Sequence, residues 1–116
     1  MNTELKDIIR KIIEFRDARY RKQFHNPKDI ALSMVLEASE LMEHFQWKST
    51  EEIEQYVNEH KEEIGEVLAD VLYWVLLMSH DLKINVIETL DKKIENNERN
   101  YPIEKSKARI GTPETA

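Results

Sequence analysis

The stretch VLADVLYWVLLM, residues 67–78, contains eleven apolar or aromatic side chains and a single carboxylate, that of Asp70. A bilayer-spanning helix takes about 20 apolar residues, so a run of this length predicts buried core instead. A helical wheel places Asp70 beside Val67, Trp74 and Leu77, and we therefore expect its carboxylate to be immersed in the fold. A buried carboxylate must shift its pKa, pair with a cation or bind a metal.

The composition of the whole chain favours helix. Its 116 residues include two glycines and three prolines, 41% are hydrophobic and 34% are charged, as expected for one ordered helical domain. The net charge of −6 argues against a nucleic-acid partner, and no segment predicts a membrane span. Cysteine is absent and the N-terminus lacks the pattern of a signal peptide, so a cytoplasmic protein is expected.

Apolar residues recur at helical spacing along most of the chain. We predict an all-α fold, a four-to-five-helix bundle in a single domain over residues 1–104, followed by a polar tail over 105–116. The predicted helices cover about residues 4–22, 27–46, 50–82 and 86–99, and the third bends near His60 or Lys61.

Capping motifs set the predicted helix boundaries. An asparagine followed by proline, a Ser-x-x-Glu capping box and an Asn-x-x-Glu pair each mark a helix start, and a late proline marks an end. In chain order these residues are Asn26 with Pro27, Ser49 with Glu52, Asn85 with Glu88, and Pro102.

Two predicted helices carry acidic residues close to their apolar faces. Glu37 and Glu40 lie one turn apart in LEASEL, while Glu63, Glu66 and Asp70 follow one face of the later helix. If the two helices are neighbours, these side chains form a cluster of carboxylates. An all-oxygen cluster suits Mg²⁺ or Mn²⁺, whose charge offsets the mutual repulsion of the acids.

Other interpretations of these acids are open at this point. Glu-x-x-Glu is common on solvated helix faces, and an aspartate in an apolar run can be a structural residue bonded to an arginine or a tyrosine. A di-iron bundle uses Glu-x-x-His pairs, whereas His44 follows Glu40 by four residues. Hard-metal chemistry therefore fits better than iron chemistry.

Three longer segments carry a family resemblance. FHNPKDIALSMVLEASELMEHFQWKS, LADVLYWVLLMSHDLKIN and KIENNERNYP resemble the all-α nucleoside triphosphate pyrophosphatases of the MazG-like group, and most closely the short dCTP pyrophosphatase branch. The resemblance covers about residues 16–110. It implies hydrolysis of a nucleoside triphosphate to the monophosphate and pyrophosphate, Mg²⁺ as cofactor with Mn²⁺ as a substitute, and a homodimer or homotetramer.

The resemblance also implies the metal ligands, which in this family are a Glu-x-x-Glu pair and a later Glu-x-x-Asp pair. Glu37, Glu40 and Asp70 match three of these four positions, but the fourth falls on Val67, which cannot bind a metal. Glu66, one residue earlier and one turn from Asp70, is the candidate substitute. A carboxylate of the cluster that does not contact the metal directly, Glu37 or Glu40, is expected to accept a proton from the attacking water.

Six further residues are implied as substrate contacts. Aromatic and imidazole rings suit a pyrimidine base, and a cation with two hydrogen-bonding side chains at i, i+4 and i+8 of the last helix suits phosphate oxygens. Trp47 and Trp74 can equally be core or interface aromatics, and an exposed lysine and asparagine are often solvated. The candidates are His25, Trp47 and Trp74 for the base and Lys93, Asn97 and Tyr101 for the phosphates.

The leading hypothesis is a Mg²⁺-dependent pyrophosphohydrolase of dCTP or a modified pyrimidine nucleotide. One alternative is a non-catalytic nucleotide-binding oligomer, which Val67 favours. A second alternative is a structural interaction protein whose acids pair with Arg16 or Arg19.

Overall fold

A computed structural model describes residues 3–19, 26–100 and 103, and this part of the chain contains five helices and no strands. The all-α prediction is confirmed, and the predicted bend at His60 is a break between two helices. The helices are α1 (Thr3–Ala18), α2 (Pro27–Phe45), α3 (Thr50–Glu59), α4 (Lys61–Asp81) and α5 (Val86–Asn100).

The predicted caps form as expected at three helix starts. The Asn26 side chain accepts from the Asp29 amide at 2.9 Å, with Pro27 in the first turn. The amide of Glu52 donates to the Ser49 hydroxyl at 3.2 Å and the Ser49 amide donates to the Glu52 carboxylate at 3.3 Å, which completes the capping box. At α5 the amide of Glu88 donates to the Asn85 side chain at 3.1 Å. The predicted stop at Pro102, the tail and residues 20–22 lie outside the described residues.

The chain divides into two compact units, Met1–Lys83 and Ile84–Ala116. The first unit holds α1 to α4 and the second holds α5. The apolar side chains of Ile87, Leu90 and Ile94 on α5 are exposed. One domain over residues 1–104 stays a prediction.

The core of the first unit lies where α2 packs along α4, with α1 against α4. Its buried apolar side chains are those of Ile30, Val67, Leu76 and Leu77. Near the end of α4, the fully buried Arg16 of α1 donates to Asp81 at 2.5 Å. This ion pair joins α1 to the last turn of α4.

The prediction that Asp70 is immersed in the core is wrong, since its side chain is exposed. Asp70 and Leu77 are seven residues apart and about 20° apart around the helix, yet Leu77 is 0% exposed. The difference is therefore one of position along α4. The end of α4 near Leu77 is covered, while the side chain of Asp70 is exposed.

Both core helices have a second apolar face. Leu32, Leu36 and Met42 of α2 are exposed on the side opposite the core, and Leu68 and Leu72 are exposed on α4. No helix in the described part of the chain is long and apolar enough to cross a membrane.

Candidate active site

Glu37 lies on α2, seven residues after the buried Ile30 and about 20° from it around the helix. Its side chain is half-buried, and its Oε2 atom is buried without a hydrogen-bond partner among the described residues. A buried carboxylate oxygen without a donor is costly, because it has lost water and gained nothing in exchange. Such an atom is a candidate ligand for a cation.

The carboxylates of Asp70 and Glu40 both act on Glu37. Burial raises the pKa of Glu37 first, and the negative charges of Asp70 and Glu40 raise it further. Two of the predicted acids, Glu40 of α2 and Asp70 of α4, thus lie near enough to act on Glu37, and the binding of a metal by the three stays a prediction.

The donor set fits a hard divalent cation. Three carboxylates supply oxygen ligands, and a cation among them would satisfy the orphaned Glu37 Oε2 and offset the repulsion that raises the pKa of Glu37. However, no group of three or more His, Asp or Glu side chains in the described structure is already arranged to hold a metal. Glu40 and Asp70 are exposed, so their side chains have room to turn towards an ion.

The fourth metal-ligand position of the family is occupied by Val67 in this chain, as the sequence indicates. Val67 is 8% exposed and belongs to the core, while Glu66 beside it is exposed. The groups that raise the pKa of Glu37 are Asp70 and Glu40, and Glu66 is not among them. Binding of a metal by Glu66 stays a prediction, and so does the presence of Glu63 in the carboxylate cluster.

Neither candidate arginine pairs with the cluster in the described structure. Arg16 binds Asp81, and its Nε atom is 3.3 Å from Asp17. Arg19 lies over the ring of Phe15 at 3.7 Å and donates to the Phe15 carbonyl at 3.0 Å. The arrangement of these arginines therefore does not support the alternative in which they neutralise the acids.

Trp47 lies in the short loop between α2 and α3, with 91% of its side chain exposed. Its φ angle is 78°, a left-handed conformation that a bulky residue rarely adopts and that usually belongs to glycine at the end of a helix. The Lys48 amide closes the turn by donating to the Phe45 carbonyl at 3.1 Å. The backbone is strained at this point, and the strain presents an indole ring to solvent.

The other predicted substrate contacts are spread over the molecule. Trp74 is half-buried on α4 and packs edge-on against Tyr73, with centroids 5.1 Å apart. Lys93 is exposed and Asn97 half-buried on α5, in the second unit. Their substrate roles stay predictions, and so do those of two residues outside the described ranges, His25 and Tyr101.

Sequence reasoning missed a cluster of rings around Tyr56 of α3. The Tyr56 hydroxyl is 2.5 Å from Nδ1 of His44, the Lys48 ammonium lies 4.3 Å from the ring centroid, and His60 stacks on the ring at 3.9 Å. A signal was available in two pairs of residues that are each four positions apart. His44 and Lys48 lie at the end of α2 and in the loop, and Tyr56 and His60 lie at the end of α3. Local patterns give no distance between two helices, however.

A profile of the MazG-like family matches residues 32–110, which include the acidic cluster and the Trp47 loop. The chain belongs to the MazG-like family. It is 33% identical over 105 residues to dCTP pyrophosphatase 1 of Rattus norvegicus, and 32% identical over 100 residues to dCTP pyrophosphatase 1 of Homo sapiens. These matches cover 89% and 84% of this chain but 62% and 59% of the two relatives, so the chain spans less than two thirds of their length.

A solved structure shows the same fold. The MazG-like chain superimposes on a pyrophosphatase from Archaeoglobus fulgidus with a TM-score of 0.82 and 37% sequence identity, covering 88% of this chain and 95% of the other. The family resemblance predicted from the sequence is therefore confirmed.

Proposed function

We propose that this MazG-like protein hydrolyses a nucleoside triphosphate to the monophosphate and pyrophosphate, with Mg²⁺ or Mn²⁺ as cofactor. The observation that carries the proposal is that Glu37 has a buried carboxylate oxygen without a partner among the described residues, while the negative charges of Glu40 and Asp70 act on the same group. The relatives named dCTP pyrophosphatase 1 and the archaeal pyrophosphatase support the same reaction.

In the proposed reaction, a water oxygen bonds to the α-phosphorus, and the bond from that phosphorus to the α–β bridging oxygen breaks. Pyrophosphate leaves with the electron pair, and the water proton passes to Glu37 or Glu40. Glu37, Glu40 and Asp70 would hold the cation, with Glu66 as the candidate fourth ligand. When bound, a divalent ion neutralises phosphate charge and makes a coordinated water more acidic.

We propose that the nucleotide base stacks on Trp47, whose exposed indole offers a flat face to a pyrimidine ring. dCTP or a modified pyrimidine deoxynucleotide is the proposed substrate, and the relatives named dCTP pyrophosphatase 1 support this choice of base. His25 and Trp74 would complete the base pocket. Lys93, Asn97 and Tyr101 would bind the phosphates.

We also propose that the protein acts as a homodimer or homotetramer. α2 is apolar on its core side and again on the opposite side, where Leu32, Leu36 and Met42 are exposed. A helix that is apolar on two sides is typical of a helix covered from two directions. Light scattering on the wild type and on Leu36→Lys tests this, and a wild-type monomer at micromolar concentration would contradict it.

Turnover measurements test the proposed activity most simply. Eight common ribo- and deoxyribonucleoside triphosphates and several 5-substituted pyrimidine nucleotides are incubated with Mg²⁺, and pyrophosphate and orthophosphate are measured separately. We expect pyrophosphate from dCTP or a 5-substituted analogue and none after EDTA. Orthophosphate as the product, or no product from any nucleotide, would overturn the proposal.

Val67 favours one rival, a nucleotide-binding protein without catalysis. Since its position in the metal site is filled by a buried apolar side chain, the site has lost one ligand unless Glu66 supplies it. Tight dCTP binding by calorimetry without pyrophosphate release would support this rival.

A further inference from the structure

We propose that Tyr56 is a positioning residue, which fixes the loop that carries Trp47 and so aims the indole at the nucleotide base. This inference rests on the proposed function, because it gives Trp47 a task there. The evidence is a set of contacts that Tyr56 makes on both sides of Trp47 in the chain.

Tyr56 contacts the residues that flank Trp47. Its ring meets the Phe45 ring edge-on at 6.3 Å, and the Lys48 ammonium lies over it at 4.3 Å. Its hydroxyl is 2.5 Å from Nδ1 of His44, in the last turn of α2. Three side chains around the loop therefore meet at one ring on α3.

His60 in turn supports the ring of Tyr56. It stacks on that ring at 3.9 Å with an angle of 12° between the planes, so the Lys48 ammonium must take the opposite face. Nδ1 of His60 lies 2.9 Å from the Tyr56 carbonyl oxygen, which can accept but not donate, so this nitrogen carries the proton. Both faces of Tyr56 are covered, and the ring is fixed.

The loop needs such support because Trp47 is strained. The left-handed conformation at φ 78° is unfavourable for tryptophan, and with 91% of its side chain exposed the indole gains little packing in return. The conformation must therefore be imposed by the neighbours. Tyr56 contacts Phe45, which lies two residues before Trp47, and Lys48, which directly follows it.

The experiment uses protein labelled with 5-fluorotryptophan, which gives one fluorine resonance for Trp47 and one for Trp74. Trp47→Phe assigns the Trp47 resonance by its loss. Tyr56→Leu removes the ring, Tyr56→Phe removes the hydroxyl alone, and Tyr73→Leu is the matched control on α4 beside Trp74. The same proteins are assayed for kcat and KM with dCTP.

We expect Tyr56→Leu to shift or broaden the Trp47 resonance and to raise KM about tenfold while kcat changes less than about twofold. Tyr56→Phe should restore most of both properties, because the ring contacts remain. Tyr73→Leu should move the Trp74 resonance and leave that of Trp47 in place. A merely structural role would not produce this separation of KM from kcat.

An unchanged Trp47 resonance in Tyr56→Leu would overturn the inference, and so would a shifted resonance with an unchanged KM. Failure of the proposed function gives a different result. In that case the wild type itself releases no pyrophosphate, while the fluorine spectra still report whether Tyr56 fixes Trp47.

Discussion

Glu37 of α2 lies close enough to Asp70 of α4 for the charge of Asp70 to act on it, because these two helices pack along each other. Burial raises the pKa of Glu37 first, and the negative charges of Asp70 and Glu40 raise it further. The metal-free site is therefore a source of pH-dependent instability.

The first prediction concerns this pH dependence. Because the pKa of Glu37 is higher in the folded than in the unfolded chain, its stabilising contribution is present below the unfolded value, about 4.3, and is lost as pH rises through the folded value. Glu37→Gln mimics the protonated acid. Without metal, the variant should be as stable as the wild type near pH 4 and more stable at pH 7. Each kcal/mol of added stability should raise Tm by about 4 °C.

Calorimetry at the two pH values, in EDTA, makes this measurement. Glu43→Gln is the matched control, since Glu43 is an exposed glutamate on the same helix. A Glu37→Gln variant less stable than the wild type at pH 7 would show that the carboxylate is well accommodated without metal.

The second prediction concerns metal binding in solution. Mg²⁺ or Mn²⁺ should raise the Tm of the wild type, because a ligand of the folded state alone stabilises it by about 2.7 kcal/mol at 100 times Kd. Asp70→Asn should lose most of this increase, and Glu43→Gln should keep it. An equal increase in Asp70→Asn would place the metal elsewhere.

The third prediction separates stability from function at Trp47. Replacing a left-handed residue by glycine removes about 1–2 kcal/mol of backbone strain, but the greater entropy of glycine in the unfolded chain costs about 0.5–1 kcal/mol. Trp47→Gly should therefore raise the free energy of unfolding by about 0.5–1 kcal/mol. Stacking is worth about 1–3 kcal/mol per base, so the KM for dCTP should rise about tenfold.

Lys83→Gly is the control for this substitution. Lys83 also follows a helix in the left-handed region, with a φ of 58°, and is remote in sequence from the loop. It should gain similar stability in urea unfolding and keep its KM. If Trp47→Gly also keeps its KM, the indole does not bind the base.

The fourth prediction concerns the buried ion pair. Arg16→Met leaves Asp81 without its cation and should cost about 3 kcal/mol of unfolding free energy. Arg10→Met is the comparison, because Arg10 forms exposed pairs with Asp7 and Glu14, and such pairs contribute less than about 1 kcal/mol. Equal losses in urea unfolding would mean that the Arg16 pair does not hold α1 to α4.

The helices and their caps could be predicted because they depend on neighbours in the chain. Asn26, Ser49 and Asn85 cap through residues three positions away, and the structure has all three. The exposure of Asp70 could not be predicted, because a helical wheel gives the angle around α4 and not the extent of covering along it. The left-handed Trp47 carries no glycine signal, and the cluster at Tyr56 depends on how α3 meets the end of α2.

The most direct measurement is the anomalous scattering of manganese in crystals grown with Mn²⁺ and a dCTP analogue whose α–β bridge is an imido group. We expect a peak about 2.1 Å from oxygens of Glu37, Glu40 and Asp70, in contact with the analogue's phosphates. A peak bound by other residues, or phosphates bound with no manganese among these three carboxylates, would contradict it.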